Sequence, residues 1–569
     1  MAAGGKTSAP DMANFSVEVP KYFNWGFDVI DHWAKEKPGL QALVYTDDAG
    51  NVQRFTFKDV SMISNQIANF LTAKGIKKGD AILVMLPNIA SLWFLVVALI
   101  KVGAVIVPCA SLLTEKDLEY RIEAAHIRGI ITDSMQSDKF STILSKYRQQ
   151  LSFAALADVR EEEKESERKG WFTLAEAERE STVFHSTEEN KSDDTCLIYF
   201  TSGTEGPPKM VLHTHVSYPL GHKATALWLG LKEGYLHWNI SSPGWAKHAW
   251  SSIFAPWNVG ATTFAYNTAA RFNASKHLNI IEKFRINSVC AAPTIWRMFL
   301  LEDLSKYDLS SLKSAASAGE PLNPEVISRF MSATGITIRD GYGQTETVLA
   351  IGNFPGIKIK PGSMGIANPF YDIDVVDDYG NRLAENQEGN IAIRVTPERP
   401  FALLKEYAND PERNKEAFRY GWYFTGDRAY KDEDGYFWYI GRADDVIKSS
   451  AYRIGPFEVE SALIKHPAVV EAAVVPSPDA IRGSIVKAYV VLRKNYTPSQ
   501  ELADELAMHV AKETAPYKYP RRIEFVESLD PVKTISGKIR RKVLRMAEFG
   551  REEKGVEGIE FAVKSLRDS

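Results

Sequence analysis

The stretch TSGTEGPPK at residues 201–209 follows the apolar run TCLIYF and precedes MVLHTH, so it lies at the end of a predicted strand. Its glycines let backbone N–H groups approach a ligand closely, its hydroxyls donate hydrogen bonds, and Lys209 adds a positive charge. These properties suit a polyphosphate. The spacing differs from the common phosphate loop, GxxxxGK followed by Ser or Thr, which disfavours a Walker-type nucleotidase. A polar hairpin connection without a ligand is the alternative interpretation.

The composition is that of a globular protein with more than one domain. The chain has 569 residues, of which 45% are hydrophobic and 25% are charged, and this excludes general disorder. The net charge of -4 and the pI of about 6.3 give no reason to expect binding to nucleic acid or to an anionic membrane. We therefore expect any anion to bind at a local site.

Cysteine usage and the chain ends indicate the compartment. The cysteines show no CxxC or Cys/His spacing, which argues against a zinc site or a disulfide framework and favours a reducing compartment; they are Cys109, Cys196 and Cys290. The first residues have no apolar core like a secretory signal and are not Arg-rich like a transit peptide. The ending SLRDS is not a peroxisomal signal. These features predict a cytoplasmic location.

The most apolar segment, SLWFLVVALIKVGAVIVP at residues 91–108, is interrupted by Lys101 and Gly103. The interruption leaves a helix-length piece and a strand-length piece, neither of which is long enough to cross a bilayer. We predict a buried helix followed by a buried strand, and no integral membrane segment.

The pattern along the chain predicts the α/β class. From about residue 40 to 300, β-branched runs such as QALVY and AILVML alternate with helix-length amphipathic segments, as in βαβ units. This predicts a large N-terminal domain of two stacked αβαβα-type subdomains. After residue 370, YDIDVVDDYGNRL and GNIAIRV indicate a small β-rich subdomain. The charge run EEEKESERK at 161–169 is typical of a solvated segment and receives no role.

A C-terminal domain is predicted beyond the stretch GRADDVIKSSAYRIGPFEVE (441–460), which is charged and rich in small residues, as expected of a domain junction. The runs VEAAVVPS, VKAYVVL and RIEFVES are predicted strands, and SQELADELAMHVAKE is a predicted helix. Together they indicate a compact α+β module. The predicted domains are therefore residues 1–443 and 444–569.

Three later segments accompany the opening loop: DGYGQTET (340–347), YFTGDRAYKDEDGYFWYIGR (423–442) and KTISGKIRR (533–541). In this order and spacing the four segments resemble the signature of the AMP-forming adenylating superfamily of acyl-CoA synthetases, adenylation domains and luciferases. The resemblance covers roughly residues 30 to 545. It implies ATP-dependent activation of a carboxylic acid to an acyl-adenylate, followed by transfer to coenzyme A that yields acyl-CoA, AMP and pyrophosphate.

The resemblance also implies roles for individual residues at the nucleotide. Tyr342 is expected to stack on adenine, and Glu346 to bind Mg²⁺, which prefers hard oxygen ligands. Asp427 is expected to hold the ribose hydroxyls, with Arg442 beside it. Taken alone, Tyr342 reads as a core tyrosine and Asp427 as a surface residue in a turn. The implied ATP and AMP contacts are Thr201, Ser202, Gly203, Thr204, Glu205, Gly206, Lys209, Gly319, Glu320, Asp340, Gly341, Tyr342, Gly343, Gln344, Thr345, Asp427, Arg442, Arg453 and Lys538.

Catalysis is assigned by resemblance to Lys538, with Glu346 and Thr201. Lys538 matches the superfamily lysine that bridges the acid carboxylate and the α-phosphate, although by itself it reads as one more exposed lysine in a basic tail. Family members rotate the C-terminal domain after adenylation, which implies a mobile domain and a hinge at Asp444. Glu205 departs from the family pattern of Thr or Ser, with an effect of unknown sign.

The segments YRIGPFEVE, SPDAIRG and TAPYKYPRRIEF are similar to those of medium-chain acyl-CoA synthetases. They imply a coenzyme A site in which guanidinium groups bind phosphates. The implied contacts are Ser450, Ala451, Tyr452, Arg482 and Arg521. Ala451 stands where relatives usually have Gly, which bears on the second half-reaction.

The acyl pocket is predicted to involve Trp245, Cys290, Gly341 and Gly343. Acetyl-CoA synthetases read WWQTE where this chain reads YGQTE, so Gly343 removes the tryptophan cap of an acetate-sized pocket. Medium-chain, branched and aryl acids are all expected to fit, because an apolar wall discriminates weakly. The predicted partners are the small-molecule acid, ATP, Mg²⁺ and coenzyme A, and the expected assembly is a monomer or homodimer.

Two other functions stay open at this point. One is an adenylating enzyme that delivers the acyl group to a carrier protein or another acceptor, and the arginines of coenzyme A type argue against it. The other is a catalytically idle sensor of acyl groups or nucleotide, which the intact Lys538, Glu346 and Asp427 disfavour.

Overall fold

The computed structural model describes residues 15–158, 170–201, 208–449, 452–480, 482–533, 538–551 and 555–563. The charge run at 161–169 therefore lies outside the described residues.

The strands up to residue 343, in order, are β1 Gln41–Asp47, β2 Val52–Thr56, β3 Ala81–Met85, β4 Val105–Pro108, β5 Gly129–Thr132, β6 Phe153–Leu156, β7 Phe172–Thr173, β8 Thr195–Thr201, β9 Lys209–Thr214, β10 Leu236–Ile240, β11 Thr262–Asn267, β12 Ser288–Ala291, β13 Ser314–Ala318 and β14 Ile338–Gly343. Those that follow are β15 Leu349–Gly352, β16 Ile366–Ala367, β17 Ile373–Val376, β18 Gly389–Arg394, β19 Glu406–Ala408, β20 Phe418–Arg419, β21 Trp422–Lys431, β22 Phe437–Arg442, β23 Ile447–Ser449, β24 Tyr452–Ile454, β25 Val469–Asp479, β26 Gly483–Leu492, β27 Arg522–Val526 and β28 Gly558–Ala562.

The α-helices are α1 His32–Glu36, α2 Phe57–Ala73, α3 Ala90–Val102, α4 Glu115–Ala124, α5 Ser141–Lys146, α6 His222–Leu229, α7 Ala246–Ala249, α8 Ala255–Asn258, α9 Ala274–Phe284, α10 Pro293–Phe299, α11 Pro324–Thr334, α12 Pro411–Ala417, α13 Pro456–Lys465, α14 Gln500–Glu513 and α15 Arg541–Glu548. Short π-helical turns cover Gly26–Asp31, Val216–Leu220 and Trp250–Phe254. Short 3₁₀ turns cover Ser137–Phe140, Leu174–Arg179, Leu304–Lys306, Pro516–Lys518 and Asp530–Val532.

Two large sheets form the N-terminal domain. One has nine strands in the order β16-β15-β14-β13-β12-β10-β11-β1-β2, and the other has eight in the order β19-β9-β8-β4-β3-β5-β6-β7. The central pairs of both sheets are parallel, such as β12 with β13 and β3 with β4. The predicted α/β class with two subdomains is confirmed.

The smaller sheets also follow the prediction. A five-stranded antiparallel sheet contains β17, β18, β20, β21 and β22. The C-terminal domain contains the β23–β24 hairpin and a four-stranded sheet in the order β25-β26-β27-β28. The interval between β22 and β23 contains the predicted boundary at 443/444. The predicted mobility of this domain stays a prediction.

The apolar segment at 91–108 forms α3 and β4, as predicted. Gly103 ends α3 in the left-handed region, with φ of 80°. The Lys101 side chain is fully buried, and its Nζ lies 2.6 Å from Asp31 Oδ1 and 2.7 Å from Asn65 Oδ1, so the charge is paired inside the domain. Within the described ranges, no helix combines the length and the hydropathy that a bilayer span requires.

Candidate active site

A large cavity, of about 460 Å³, lies between the N-terminal and C-terminal domains. It brings together segments that are far apart in the sequence. The predicted nucleotide-site residues that line it are Thr201, Lys209, Gly319, Glu320, Asp340, Gly341, Tyr342, Gly343, Gln344, Thr345, Glu346, Asp427, Arg442 and Lys538. Ser202, Gly203, Thr204, Glu205 and Gly206 lie outside the described residues, as does the side chain of Arg453.

The carboxyl ends of parallel strands β13 and β14 supply one wall of the cavity, which is the usual position of a ligand site in such sheets. Asp340 lies in β14 and is 4% exposed. Its carboxylate accepts hydrogen bonds from the backbone N–H of Gly341 at 3.0 Å and of Leu322 at 3.3 Å. Burial outweighs these bonds and raises the pKa of Asp340 to about 7.

Asp427 is the centre of a hydrogen-bond network beside this wall. Its Oδ2 accepts from Tyr342 Oη at 2.7 Å and from Gln344 Nε2 at 2.6 Å, and its Oδ1 accepts from Tyr439 Oη at 3.2 Å. The antiparallel pairing of β21 with β22 places Asp427 opposite Arg442, whose Nε lies 3.8 Å from Oδ1. The network holds the Asp427 carboxylate in one fixed orientation, as recognition of a vicinal diol requires.

Glu346 and Thr201 mark the other end of the cavity. Glu346 Oε1 accepts from Tyr407 Oη at 3.0 Å, and Lys209 Nζ lies 5.6 Å from the centre of the Tyr407 ring. Strands β8 and β9 pair Thr201 with Lys209, so these two residues stand on either side of positions 202–207 in the sequence. The Thr201 hydroxyl oxygen is buried and has no hydrogen-bond partner among the described residues. A buried polar atom of this kind points to a ligand.

Lys538 reaches the cavity from the C-terminal domain. It approaches Gly319, which has φ of 109°; a Cβ placed on Gly319 would lie 4.0 Å from Lys538 Cε and 3.9 Å from Lys247 Cδ. Lys247 Nζ donates to the carbonyl of Ala318 at 2.8 Å, next to the same glycine. Two lysine side chains therefore converge on the loop that carries Glu320.

Ion pairs within the C-terminal domain lie near the cavity. Arg541 donates to both carboxylate oxygens of Glu460, at 3.0 and 2.6 Å. Arg545 bonds the backbone carbonyl of Asp444 at 2.5 Å and the Asp445 carboxylate at 2.7 Å. The predicted hinge Asp444 also lies 3.7 Å from Arg442 Nε, so charged contacts from both domains meet at this residue.

Comparison with known sequences identifies the family. A profile described as "AMP-binding enzyme" matches residues 30–397, and one described as "AMP-binding enzyme C-terminal domain" matches residues 458–538. This chain belongs to the AMP-binding enzyme family. The predicted resemblance is thus confirmed.

Individual AMP-binding relatives cover nearly the whole chain. The mitochondrial acyl-coenzyme A synthetase ACSM3 of Mus musculus is 44% identical over 545 residues, which cover 94% of this chain and 92% of that protein. The 4-hydroxybutyrate–CoA ligase 1 of Metallosphaera sedula is 43% identical over 539 residues, covering 94% and 92%. The crystal structure of the anthranilate CoA ligase AuaEII in complex with anthranoyl-AMP matches with a TM-score of 0.82 and 31% identity, covering 93% of this chain and 98% of that one.

The predicted coenzyme A residues of this AMP-binding enzyme lie on the C-terminal domain, and Tyr452, Arg482 and Arg521 are absent from the described lining of the large cavity. Tyr452 is 48% exposed and stacks on Tyr517, with ring centres 4.1 Å apart. Arg521 lies 4.6 Å from the ring centre of Tyr519. Ser450 and Ala451 lie outside the described residues.

The predicted acyl-pocket residues occupy three places. Gly341 and Gly343 line the large cavity, whereas Trp245 lines a second cavity of about 30 Å³. Cys290 is buried, and burial, opposed by Lys247, raises the pKa of its thiol. The space next to Gly343 is filled, because a Cβ placed there would lie 2.3 Å from Trp250 Cη2.

Several site residues carry little sequence signal. Tyr407 and Tyr439 read as ordinary strand aromatics, Lys247 as a surface lysine, and Trp250 as a core residue. Their contacts with the motif residues depend on pairing between distant segments. Among these residues, Lys247 alone had a signal in the sequence, because it lies two positions after Trp245, which was predicted to line the acyl pocket.

Proposed function

We propose that this protein is a magnesium-dependent, AMP-forming carboxylate–CoA ligase for medium-chain, branched or aryl acids. The observation that carries the proposal is the single cavity that collects Glu346, Asp427 and Lys538 from both domains. The relatives described as an acyl-CoA synthetase and CoA ligases support the ATP-dependent formation of acyl-CoA. They do not favour delivery to another acceptor or a catalytically idle sensor.

In the first half-reaction, a carboxylate oxygen of the acid attacks the α-phosphorus of ATP. A new P–O bond forms to the acid while the P–O bond to pyrophosphate breaks. Lys538 supplies positive charge where the carboxylate and the α-phosphate meet, and Asp427 holds the ribose so that the reacting atoms stay aligned. Lys209 and Thr201 face the departing phosphates.

A magnesium ion fits the end of the cavity that contains Glu346. The Glu346 carboxylate is a hard oxygen donor, and Thr201, whose hydroxyl has no hydrogen-bond partner in the described ranges, lines the same cavity. Glu346 would hold the ion together with phosphate oxygens. When bound, the ion neutralises charge on the phosphates of ATP. Tyr407 orients Glu346 through the 3.0 Å hydrogen bond.

In the second half-reaction, the thiolate of coenzyme A attacks the acyl carbon, and the bond from that carbon to the AMP oxygen breaks. We infer that the C-terminal domain first rotates about Asp444. The rotation would withdraw Lys538 and present Tyr452, Arg482 and Arg521. The exposure of Tyr452 and the absence of these three residues from the described cavity lining support this inference. A cytoplasmic location and a monomeric or homodimeric state stay predictions from the sequence.

The test is pyrophosphate release with ATP and magnesium across linear C2 to C12, branched and aryl acids, with and without coenzyme A. We expect release beyond C2 in the wild type and a loss of at least about 100-fold in Lys538→Ala, because a lost donor of charge removes transition-state stabilisation. Lys494→Ala, an exposed lysine of the same domain, should retain the wild-type rate. Equal rates in Lys538→Ala and the wild type would overturn the proposal.

A further inference from the structure

A buried histidine, His213, joins the two large sheets behind the nucleotide cavity. His213 lies in β9, on the same face of the strand as Lys209, and is completely buried. Its Nε2 lies 2.7 Å from the backbone carbonyl oxygen of Thr345, in the segment that follows β14. Thr345 and Glu346 line the cavity, whereas His213 is absent from its described lining. His213 therefore acts on this segment rather than on a ligand.

The neighbours of the imidazole determine which of its nitrogens carries the proton. A carbonyl oxygen can only accept a hydrogen bond, so Nε2 of His213 donates to Thr345. Nδ1 then accepts from the Ser217 hydroxyl at 3.0 Å, and that hydroxyl oxygen accepts from the backbone N–H of Thr214 at 2.8 Å. Burial lowers the pKa of His213 to about 3, which keeps the ring neutral with one N–H. This single N–H is directed at the Thr345 carbonyl.

The hydrogen bond from His213 fixes the peptide group that precedes Glu346. The Thr345 carbonyl and the Glu346 N–H belong to one planar unit, so holding the oxygen sets the orientation of the whole unit. On the other side, the Leu404 N–H donates to the Glu346 carbonyl at 2.8 Å, and Tyr407 Oη donates to Glu346 Oε1 at 3.0 Å. Tyr407 lies in β19, which pairs with β9. The proposed magnesium ligand is therefore held on both sides from one edge of the eight-stranded sheet.

We propose that His213 is a positioning residue for magnesium-dependent adenylation. Its N–H holds the peptide between Thr345 and Glu346, so that the Glu346 carboxylate is preorganised to bind the ion. Without this bond the peptide gains rotational freedom, and binding of the ion must then restrict Glu346 as well. The inference rests on the proposed ligase function and deepens it by naming a residue that supports the metal end of the site.

The experiment measures binding without turnover, by calorimetry in the absence of acid. His213→Phe keeps a ring but removes the donor, whereas His213→Gln retains an N–H near the position of Nε2. We expect the Kd of ATP with Mg²⁺ to rise at least about fivefold in His213→Phe and to stay within about twofold of the wild type in His213→Gln. The Kd of AMP without metal should not change in either variant, because its proposed contacts are Tyr342 and Asp427.

Steady-state pyrophosphate release gives a second measurement. The magnesium concentration for half-maximal release should rise at least about fivefold in His213→Phe, whereas the KM for the acid should stay at the wild-type value. His213→Asn, whose shorter amide reaches Ser217 but not Thr345, should behave as His213→Phe does. This third variant covers the case in which His213→Phe does not fold.

The matched control is His237→Phe. His237 is completely buried, and its ring nitrogens each lie 2.9 Å from a hydroxyl, of Ser288 and of Ser251. It is absent from the described lining of the large cavity. The control loses the same number of imidazole hydrogen bonds and should leave the Kd of ATP with Mg²⁺ within about twofold of the wild type.

The outcomes separate the role of His213 from the ligase function. Wild-type affinity for ATP with Mg²⁺ in the folded variants that lack the donor would refute the role of His213 and leave the ligase function intact. An equal loss of affinity in His213→Gln or in His237→Phe would also refute it. A wild type that releases no pyrophosphate with any acid would refute the ligase function itself.

Discussion

At the scale of single residues, Asp340 carries an unusual proton affinity at the cavity wall. Its carboxyl is almost completely enclosed, and among the described residues it accepts hydrogen bonds from two backbone N–H groups. Burial therefore raises the pKa of Asp340 from 3.8 to about 7, with Lys247 among the opposing charges. The folded protein binds this proton more tightly than the unfolded chain does, so the free energy of unfolding depends on pH.

Asp340→Asn should remove this dependence. In the wild type, the contribution of the Asp340 proton to stability is fully present below about pH 4 and is lost as pH rises towards 7. The variant should therefore gain stability relative to the wild type between pH 5 and 8, by at most about 4 kcal/mol. Thermal unfolding midpoints at several pH values measure the difference. Asp193→Asn changes an exposed residue and should show the same pH dependence of the unfolding midpoint as the wild type. If Asp340→Asn also showed the wild-type pH dependence, the raised pKa of Asp340 would be contradicted.

At the scale of elements, α15 is held at both ends. Arg541, in its first turn, pairs with Glu460 of α13. Glu548, its last residue, lies 2.7 Å from the Nζ of Lys487 in β26. Lys487 also lies 2.9 Å from Glu524 in β27 and bonds Glu560 in β28. Because Lys538 lies only three residues before the first residue of α15, this cluster contributes to the position of the proposed catalytic lysine.

Lys487→Met should lower the free energy of unfolding by about 3–5 kcal/mol, because it leaves buried carboxylates without their cation. Lys487 is 3% exposed in its side chain, and Glu524 is 1% exposed. The matched control is Lys465→Met, which breaks an exposed pair with Glu513 and should cost less than about 1 kcal/mol. Thermal unfolding of both variants measures the two effects. Equal losses would show that the buried cluster adds nothing beyond a surface pair.

The elements themselves were largely predictable, whereas their partners were not. Hydrophobic period and flanking glycines identified α3, β4 and the strand β8 from local sequence. The short strand β19 pairs with β9, and β1 pairs with β11, across long stretches of chain. Such pairing depends on tertiary packing, which local sequence does not encode. For the same reason the sequence motifs identified Asp427 and Lys538 as site residues. They did not identify Tyr407, Tyr439 or Trp250, whose contacts with the motif residues depend on tertiary packing.

At the scale of the whole molecule, the two domains meet at a cavity that contains the proposed catalytic lysine but not the proposed coenzyme A residues. Lys538 lines this cavity, while Tyr452 and Arg521 lie outside its described lining. The connection between the domains passes through Asp444, whose backbone carbonyl and carboxylate contact arginines from opposite sides. A protein that alternates between two arrangements needs such contacts to break and re-form, so each must be individually weak.

Asp444→Pro should separate the two half-reactions. Proline fixes φ at one value, and none of the hydrogen bonds between described residues uses the Asp444 amide, so the present arrangement should persist. Adenylation, measured as single-turnover pyrophosphate release, should stay within about threefold of the wild type, whereas acyl-CoA formation should fall at least about tenfold. Asp444→Ala controls for loss of the carboxylate and should retain both steps. Equal losses in both steps for Asp444→Pro would indicate a damaged cavity, and normal acyl-CoA formation would exclude rotation about this residue.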